Sequence, residues 1–164
     1  MFVDSLIHTL GAVSKELTVF TLAVLPVSEL RGAIPVGILV FHFGFVKTVA
    51  LALAGNLLPV IPILLFFDRI EKYMRRSHLS GKMIDWFLHR AEKKSRAVKK
   101  YGPLGLMLFV AVPLPVTGAW TGSLVAFLLG FAVKKSFLYI ALGVCIAAVV
   151  VSSLTYGGVL IGGV

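Results

Sequence analysis

The chain has a single cysteine and only seven acidic residues in 164. Cys145 has no intramolecular partner, so disulfides do not hold this fold, and it indicates no redox compartment. Charged residues make up 14%, against about 25% for an ordinary soluble domain. No glycine-rich phosphate loop ending in Gly-Lys-Ser/Thr occurs, which excludes an ATP-driven motor within the chain. No HExxH or CxxC spacing offers a metal site. No GxSxG elbow occurs, and no Ser or Asp inside an apolar run pairs with a His. The expectation is a protein that is not an enzyme and uses neither cofactor nor metal.

What is abundant is apolar length. Hydrophobic residues make up 59%, and mean hydropathy is +0.99. Thr48–Phe67 is 20 residues without a charge, Tyr101–Val133 is 33, and Ser136–Val164 is 29. A membrane-spanning helix needs about 20. Runs this long and this many make an integral membrane protein. No basic segment precedes an apolar one at the N-terminus, so no cleaved signal is expected.

The net charge of +9 taken alone suggests nucleic acid. Its position argues otherwise, for 11 of the 16 Lys and Arg fall between Arg69 and Lys100, between apolar runs. Basic loops beside spans face the cytoplasm. The expected location is therefore the cell membrane, multi-pass, with that segment cytoplasmic. No nucleic-acid partner is expected.

The organisation expected is one membrane domain over 1–164: a first repeat over 17–67, a linker over 68–100, and a second repeat over 101–164. Shifting the first apolar stretch by 86 residues places Leu22 on Leu108, Val24 on Val110, Gly32 on Gly118, Ala33 on Ala119, Phe41 on Phe127, Gly44 on Gly130 and Phe45 on Phe131. Both stretches carry prolines at their centre, Pro26 and Pro35 in one, Pro113 and Pro115 in the other. Proline breaks a helix, so each stretch reads as two half-helices joined by an irregular turn. Such a stretch either crosses once as a broken helix or enters and returns as a re-entrant hairpin. The basic residues fit both, the hairpin slightly better. A hairpin plus one span makes an odd number of crossings, so the second repeat would be inverted. The fold class expected is all-α, with two inverted repeats of hairpin plus span and an amphipathic basic helix between them.

Inside the first hairpin lies a polar island, Ser28, Glu29 and Arg31. Each of the two charges costs about 2.5–3.5 kcal/mol at mid-membrane on insertion scales. Residues two apart on a helix do not face each other, so an extended turn between prolines is expected to aim both the same way. Arg31 is suited to an anion and Glu29 to a proton; a structural ion pair pinning the hairpin is the plainer alternative. The second turn, "PLPVTGAWTGS", has no charge. Thr117 is expected to cap a half-helix starting near Gly118, whose free N–H groups attract anions. Gly118 and Gly122 permit close helix approach, and Trp120 would close a cavity. Asn56, inside the first span, reaches a neighbouring helix or a substrate. His42 reads as an interfacial histidine.

In the linker, Ile84, Phe87, Leu88, Ala91 and Val98 recur at helical spacing. Arg90, Lys93, Lys94, Arg96, Lys99 and Lys100 take the other face. This reads as a helix lying on the anionic inner leaflet, with membrane lipid as partner. Gly158 and Gly162 offer a homodimer contact.

"SELRGAIPVGI", "GNLLPVIPILLFF" and "PLPVTGAWTGSLVAFLLG" together resemble the small multidrug export family, over nearly the whole chain. That family is similar in layout to the DedA and VTT-domain membrane proteins. The resemblance implies a transporter with two opposed re-entrant hairpins and charged residues near their turns. Three functions stand at this point. The first is a proton-coupled secondary transporter or flippase for an anionic amphiphile such as a lipid phosphate. The second is an exporter of small drugs through the same cavity, with Glu29 as substrate contact. The third is a non-transporting scaffold acting through its basic helix.

Overall fold

The computed structural model describes residues 14–74, 85, 89, 98–114 and 117–162. Among these the chain is helical and contains no strand. In order come α1 (Lys15–Val24), α2 (Glu29–Pro35), a π-helical turn (Val36–Val40), α3 (Phe45–Leu57) and α4 (Val60–Met74). Then come α5 over 98–111, α6 (Ala119–Leu128) and α7 (Val133–Gly162). Phe45–Phe67 (23 residues) and Val133–Gly158 (26 residues) are long and apolar enough to cross a membrane. The first is interrupted at Leu58–Pro59. The helices form two compact units, Met1–Leu58 with Cys145–Val164, and Pro59–Val144.

In the first unit, α1 starts at Ser14, whose Oγ accepts a hydrogen bond from the Leu17 N–H at 3.3 Å. One face of α1 buries Thr18, Val19, Leu22 and Ala23 and packs on α2 and α3. A Cβ at Gly55 of α3 would lie 2.5 Å from the Phe20 carbonyl oxygen and 2.9 Å from the Ala23 Cβ. Only glycine lets the two backbones approach this closely. The chain leaves along α1 and comes back along α2. The Lys15 ammonium is 5.9 Å from the Phe41 ring centroid, and Lys47 Nζ is 2.6 Å from Glu16 Oε1.

Pro35 explains the π-helical turn. It carries no N–H to donate to the Arg31 carbonyl, so the α ladder lapses there. The chain widens, with the Phe41 N–H donating to the Val36 carbonyl at 3.0 Å and the Phe43 N–H to the Gly37 carbonyl at 2.8 Å. His42, at φ 53, turns the chain out toward α3.

The second unit has close approaches of its own. A Cβ at Gly143 of α7 would lie 2.7 Å from the Met107 carbonyl oxygen and 2.8 Å from the Val110 Cβ. One at Gly122 of α6 would lie 2.5 Å from Val110 Cγ2, and the Phe67 and Phe127 rings sit 5.1 Å apart. α6 closes in a Schellman turn. The Gly130 N–H bonds the Phe127 carbonyl, the Phe131 N–H bonds the Ala126 carbonyl, and Gly130 has φ 65.

Gly143 thus meets Met107 and Val110 as Gly55 meets Phe20 and Ala23. Gly130 and His42 are both left-handed, and Ser136 and Thr48 are both buried. The turn between α5 and α6 (112–118) is longer than that between α1 and α2 (25–28), and α6 is shorter than α2 with its π turn.

Candidate functional site

Proline chemistry builds the polar island. Pro26 lacks the N–H that the Leu22 carbonyl would accept one turn on. The Ser28 hydroxyl supplies that hydrogen bond. The next carbonyl, Ala23, accepts from Asn56 Nδ2 at 3.5 Å. Two side chains, one from the turn and one from α3, therefore complete the C-terminal end of α1 inside the protein. Ser28 is thus a helix-capping residue as well as a turn residue.

Glu29 follows directly. Its N–H donates to the Leu25 carbonyl at 3.0 Å, and its backbone is left-handed at φ 45. For a non-glycine residue this conformation costs roughly 1–2 kcal/mol, a strain the packed turn sustains. Glu29 and Arg31 are not in an extended turn, as the sequence suggested; both belong to α2. The left-handed first residue takes Glu29 off the helical course, so two residues that would diverge on a regular helix meet. Arg31 Nη2 lies 3.6 Å from Glu29 Oε2, with side-chain exposures of 30% and 8%. A buried carboxylate and a half-buried guanidinium thus share one site. The carboxylate can take or give a proton, whereas the guanidinium stays charged.

Asn56 is 1% exposed. Its amide nitrogen is used at Ala23, and its Oδ1 has no hydrogen-bond partner. Pro35 lies within α2, at its junction with the π turn.

In the second unit, Thr117 does not cap α6. The N-cap position is Gly118, with no side-chain hydrogen bond. Thr117 Oγ1 instead closes the preceding turn: it accepts from the Leu114 N–H at 3.1 Å and bonds the carbonyls of Val112 and Leu114. Proline again dictates this, because Pro113 and Pro115 remove two amides that would pair in a continued helix. Thr117 and Gly118 are buried, and Trp120 and Pro113 are half-buried. Pro115 lies outside the described residues.

Of the linker cations, Arg90, Lys93, Lys94 and Arg96 lie outside the described residues. Lys99 and Lys100 are exposed on the first turn of α5. There the helix runs on into the apolar stretch, while Val98 beside them is buried. Gly158 is exposed on α7, and Gly162 lies at its end. Among the described residues no three His, Cys, Asp or Glu gather as metal ligands.

Sequence reasoning missed the Glu16–Lys47 pair, and with it the buried hydroxyls Thr48, Ser136 and Ser152. The pair joins residues distant along the chain and has no local signature. The hydroxyls did carry one, as lone polar residues in apolar runs.

No curated protein and no solved structure matches the chain. One family model does, over residues 29–150, which takes in Glu29, Arg31, Asn56, Thr117, Gly118 and Trp120. With that match across most of its length and two helices long enough to cross a bilayer, this chain is a membrane protein and belongs to the family described as "Putative small multi-drug export protein".

Proposed function

We propose that the chain is a proton-coupled secondary transporter that moves an anionic amphiphile, such as a lipid phosphate, across the cell membrane. The observation that carries this reading is the Glu29–Arg31 pair at 3.6 Å, set where the chain turns back on itself. An ionisable pair in such a place is costly and marks a transport pathway by default. Arg31 is the more open of the two, which suits it to an anion; Glu29 is the more enclosed, which suits it to a proton. Binding of the anion draws Arg31 away from Glu29, and Glu29 then takes up a proton. The reaction moves solutes and makes or breaks no covalent bond, so the protein is not an enzyme.

In this reading α1 and α2 form a re-entrant hairpin. α1 has 10 residues, or about 15 Å at 1.5 Å per residue, half the hydrocarbon thickness. α5 and α6 form its counterpart, and the odd number of crossings inverts the second repeat. Thr117, Gly118 and Trp120, in the second unit, keep the substrate-contact role expected of them. The linker stays cytoplasmic and holds anionic lipid through Arg90, Lys93, Lys94, Arg96, Lys99 and Lys100. Gly158 and Gly162 give a homodimer contact.

The family description favours a second reading, export of small drugs with Glu29 as the contact for a cationic substrate. One experiment separates the two. Purified protein is reconstituted in liposomes with a pH gradient, and flux of a fluorescent anionic phospholipid is compared with that of ethidium. Lipid flux lost in both Glu29→Gln and Arg31→Gln, with lipid binding kept only in Glu29→Gln, supports the first. Ethidium flux lost in Glu29→Gln and kept in Arg31→Gln supports the second. Neither flux in the parent protein leaves the scaffold function.

A further inference from the structure

Two lysines and two phenylalanine rings stand in a line at one end of the first unit. The Lys15 ammonium is 5.9 Å from the Phe41 ring centroid. The Phe41 and Phe43 centroids are 5.9 Å apart, and the Lys47 ammonium is 4.1 Å from the Phe43 centroid. Each link is within the range of a direct ring contact. His42, at φ 53, stands between the two phenylalanines. The line lies on the surface: Lys15 and His42 are exposed, Phe41 and Phe43 are half-buried, and the Lys47 side chain is 50% exposed.

Charge and surroundings narrow what such a line can hold. Glu16 neutralises Lys47 at 2.6 Å and fixes its ammonium beside Phe43. Among Lys15, Glu16 and Lys47 one positive charge is left over. Beside the line, Leu39, Val40, Phe45 and Val46 are exposed, Val46 by 77%. This end is too apolar for open water and too charged for hydrocarbon. Aromatic rings with lysines whose stems lie along apolar surface belong at the level of lipid headgroups. A phosphodiester brings one negative charge to the surplus positive one. The rings suit both partners, since their faces attract the lysines and their edges an anion.

We infer that this line is a binding surface for one anionic phospholipid, with its phosphodiester at Lys15, Phe41, Phe43 and Lys47 and its acyl chains along Leu39, Val40 and Val46. The surface is separate from the polar island. It lies at the start of α1, about 15 Å of helix rise from the turn that leads into Glu29. The inference therefore stands whether or not Glu29 couples a proton to transport. It also differs from the lipid contact proposed for the linker, which involves other cations and no ring.

The test uses the full-length protein in nanodiscs of equal parts phosphatidylglycerol and phosphatidylcholine at low salt. The photo-crosslinking residue p-benzoylphenylalanine replaces Phe45, two residues from Lys47, or, as the control, Val149 on the exposed apolar face of α7. The lipid captured on illumination is identified by mass spectrometry. The expected result is a preference for phosphatidylglycerol at 45 about fivefold above that at 149, the gain that one lysine near an anionic headgroup supplies. Lys15→Gln should remove the excess, and Lys15→Arg should keep it. Equal ratios at the two positions would overturn the inference. So would an excess at 45 that survives Lys15→Gln, because its source would then be the basic residues elsewhere in the chain. Lys15 is exposed, so neither variant disturbs the packing of α1.

Discussion

Lys47 Nζ lies 2.6 Å from Glu16 Oε1, although 31 residues separate them. The same ammonium sits 4.1 Å from the Phe43 ring centroid. The start of α1 and the start of α3 are thereby tied at one end of the first unit. The hydrogen bond from Lys47, with lesser help from the Glu16 backbone and the Ser14 hydroxyl, lowers the Glu16 pKa from 4.5 to about 2. A lowered carboxylate pKa stabilises the fold above the unfolded value and loses that contribution as pH falls through the folded one. The pair should therefore persist well below pH 4.5 and open near pH 2. Infrared titration of isotope-labelled Glu16 should show this, and Lys47→Met should return the midpoint toward 4.5.

The close approaches at Gly55 and Gly143 should be intolerant of any side chain. Both meet a carbonyl oxygen of a packed helix within 2.7 Å of the added Cβ, and neither backbone can yield cheaply. Gly55→Ala and Gly143→Ala should each cost about 1–3 kcal/mol through overpacking. Gly44→Ala, where nothing lies within 4 Å, is the control. Thermal unfolding in detergent checks all three.

Ser28→Ala removes the donor that replaces the missing Pro26 amide and leaves the Leu22 carbonyl short of a partner. The expected cost is about 1–3 kcal/mol. Ser28→Ala combined with Pro26→Ala should cost less than Ser28→Ala alone, because the restored amide can bond Leu22. A double-mutant cycle measured by denaturant unfolding reads the difference.

Gly130 and His42 share a left-handed backbone, at φ 65 and φ 53, which only the glycine adopts without strain. Gly130→Ala should cost about 1–2 kcal/mol, whereas His42→Gly should leave stability unchanged or raise it slightly. Thermal unfolding of the two variants should therefore shift in opposite directions or not at all for the second.

Topology can be read from thiol labelling at Lys47 and Lys134 in a Cys145→Ala background. Re-entrant hairpins put Lys47→Cys outside and Lys134→Cys inside. Labelling of both from one face of sealed vesicles would remove the opposed-hairpin reading.

The two spans were legible in the sequence because an uninterrupted apolar run has few soluble uses. The breaks were legible from Pro26, Pro35 and Pro113, since a missing amide acts locally. The meeting of Glu29 with Arg31 was foreseen, but by the wrong route: an extended turn was expected, and a left-handed first residue of a helix does the work. Backbone handedness at a glutamate has no signature in residue type. Thr117 misled for a related reason, because its hydroxyl can serve the helix before it as well as the one after. Asn56 was singled out as reaching a neighbouring helix, and it does. Its particular target, the Ala23 carbonyl, depends on the Gly55 contact and could not be read from spacing.

The wide turn at Val36–Val40 acts on everything beyond it like an inserted residue. A π turn holds more residues than an α turn, so side chains downstream are rotated by roughly 100° from where an unbroken helix would carry them. The side that Glu29 and Ile34 turn inward is thus out of phase with Phe41 and Phe43, which gather beside Lys15 and Lys47 instead. Removing one residue from this turn would restore the α phase, swing both rings off the lysines, and leave the island itself untouched.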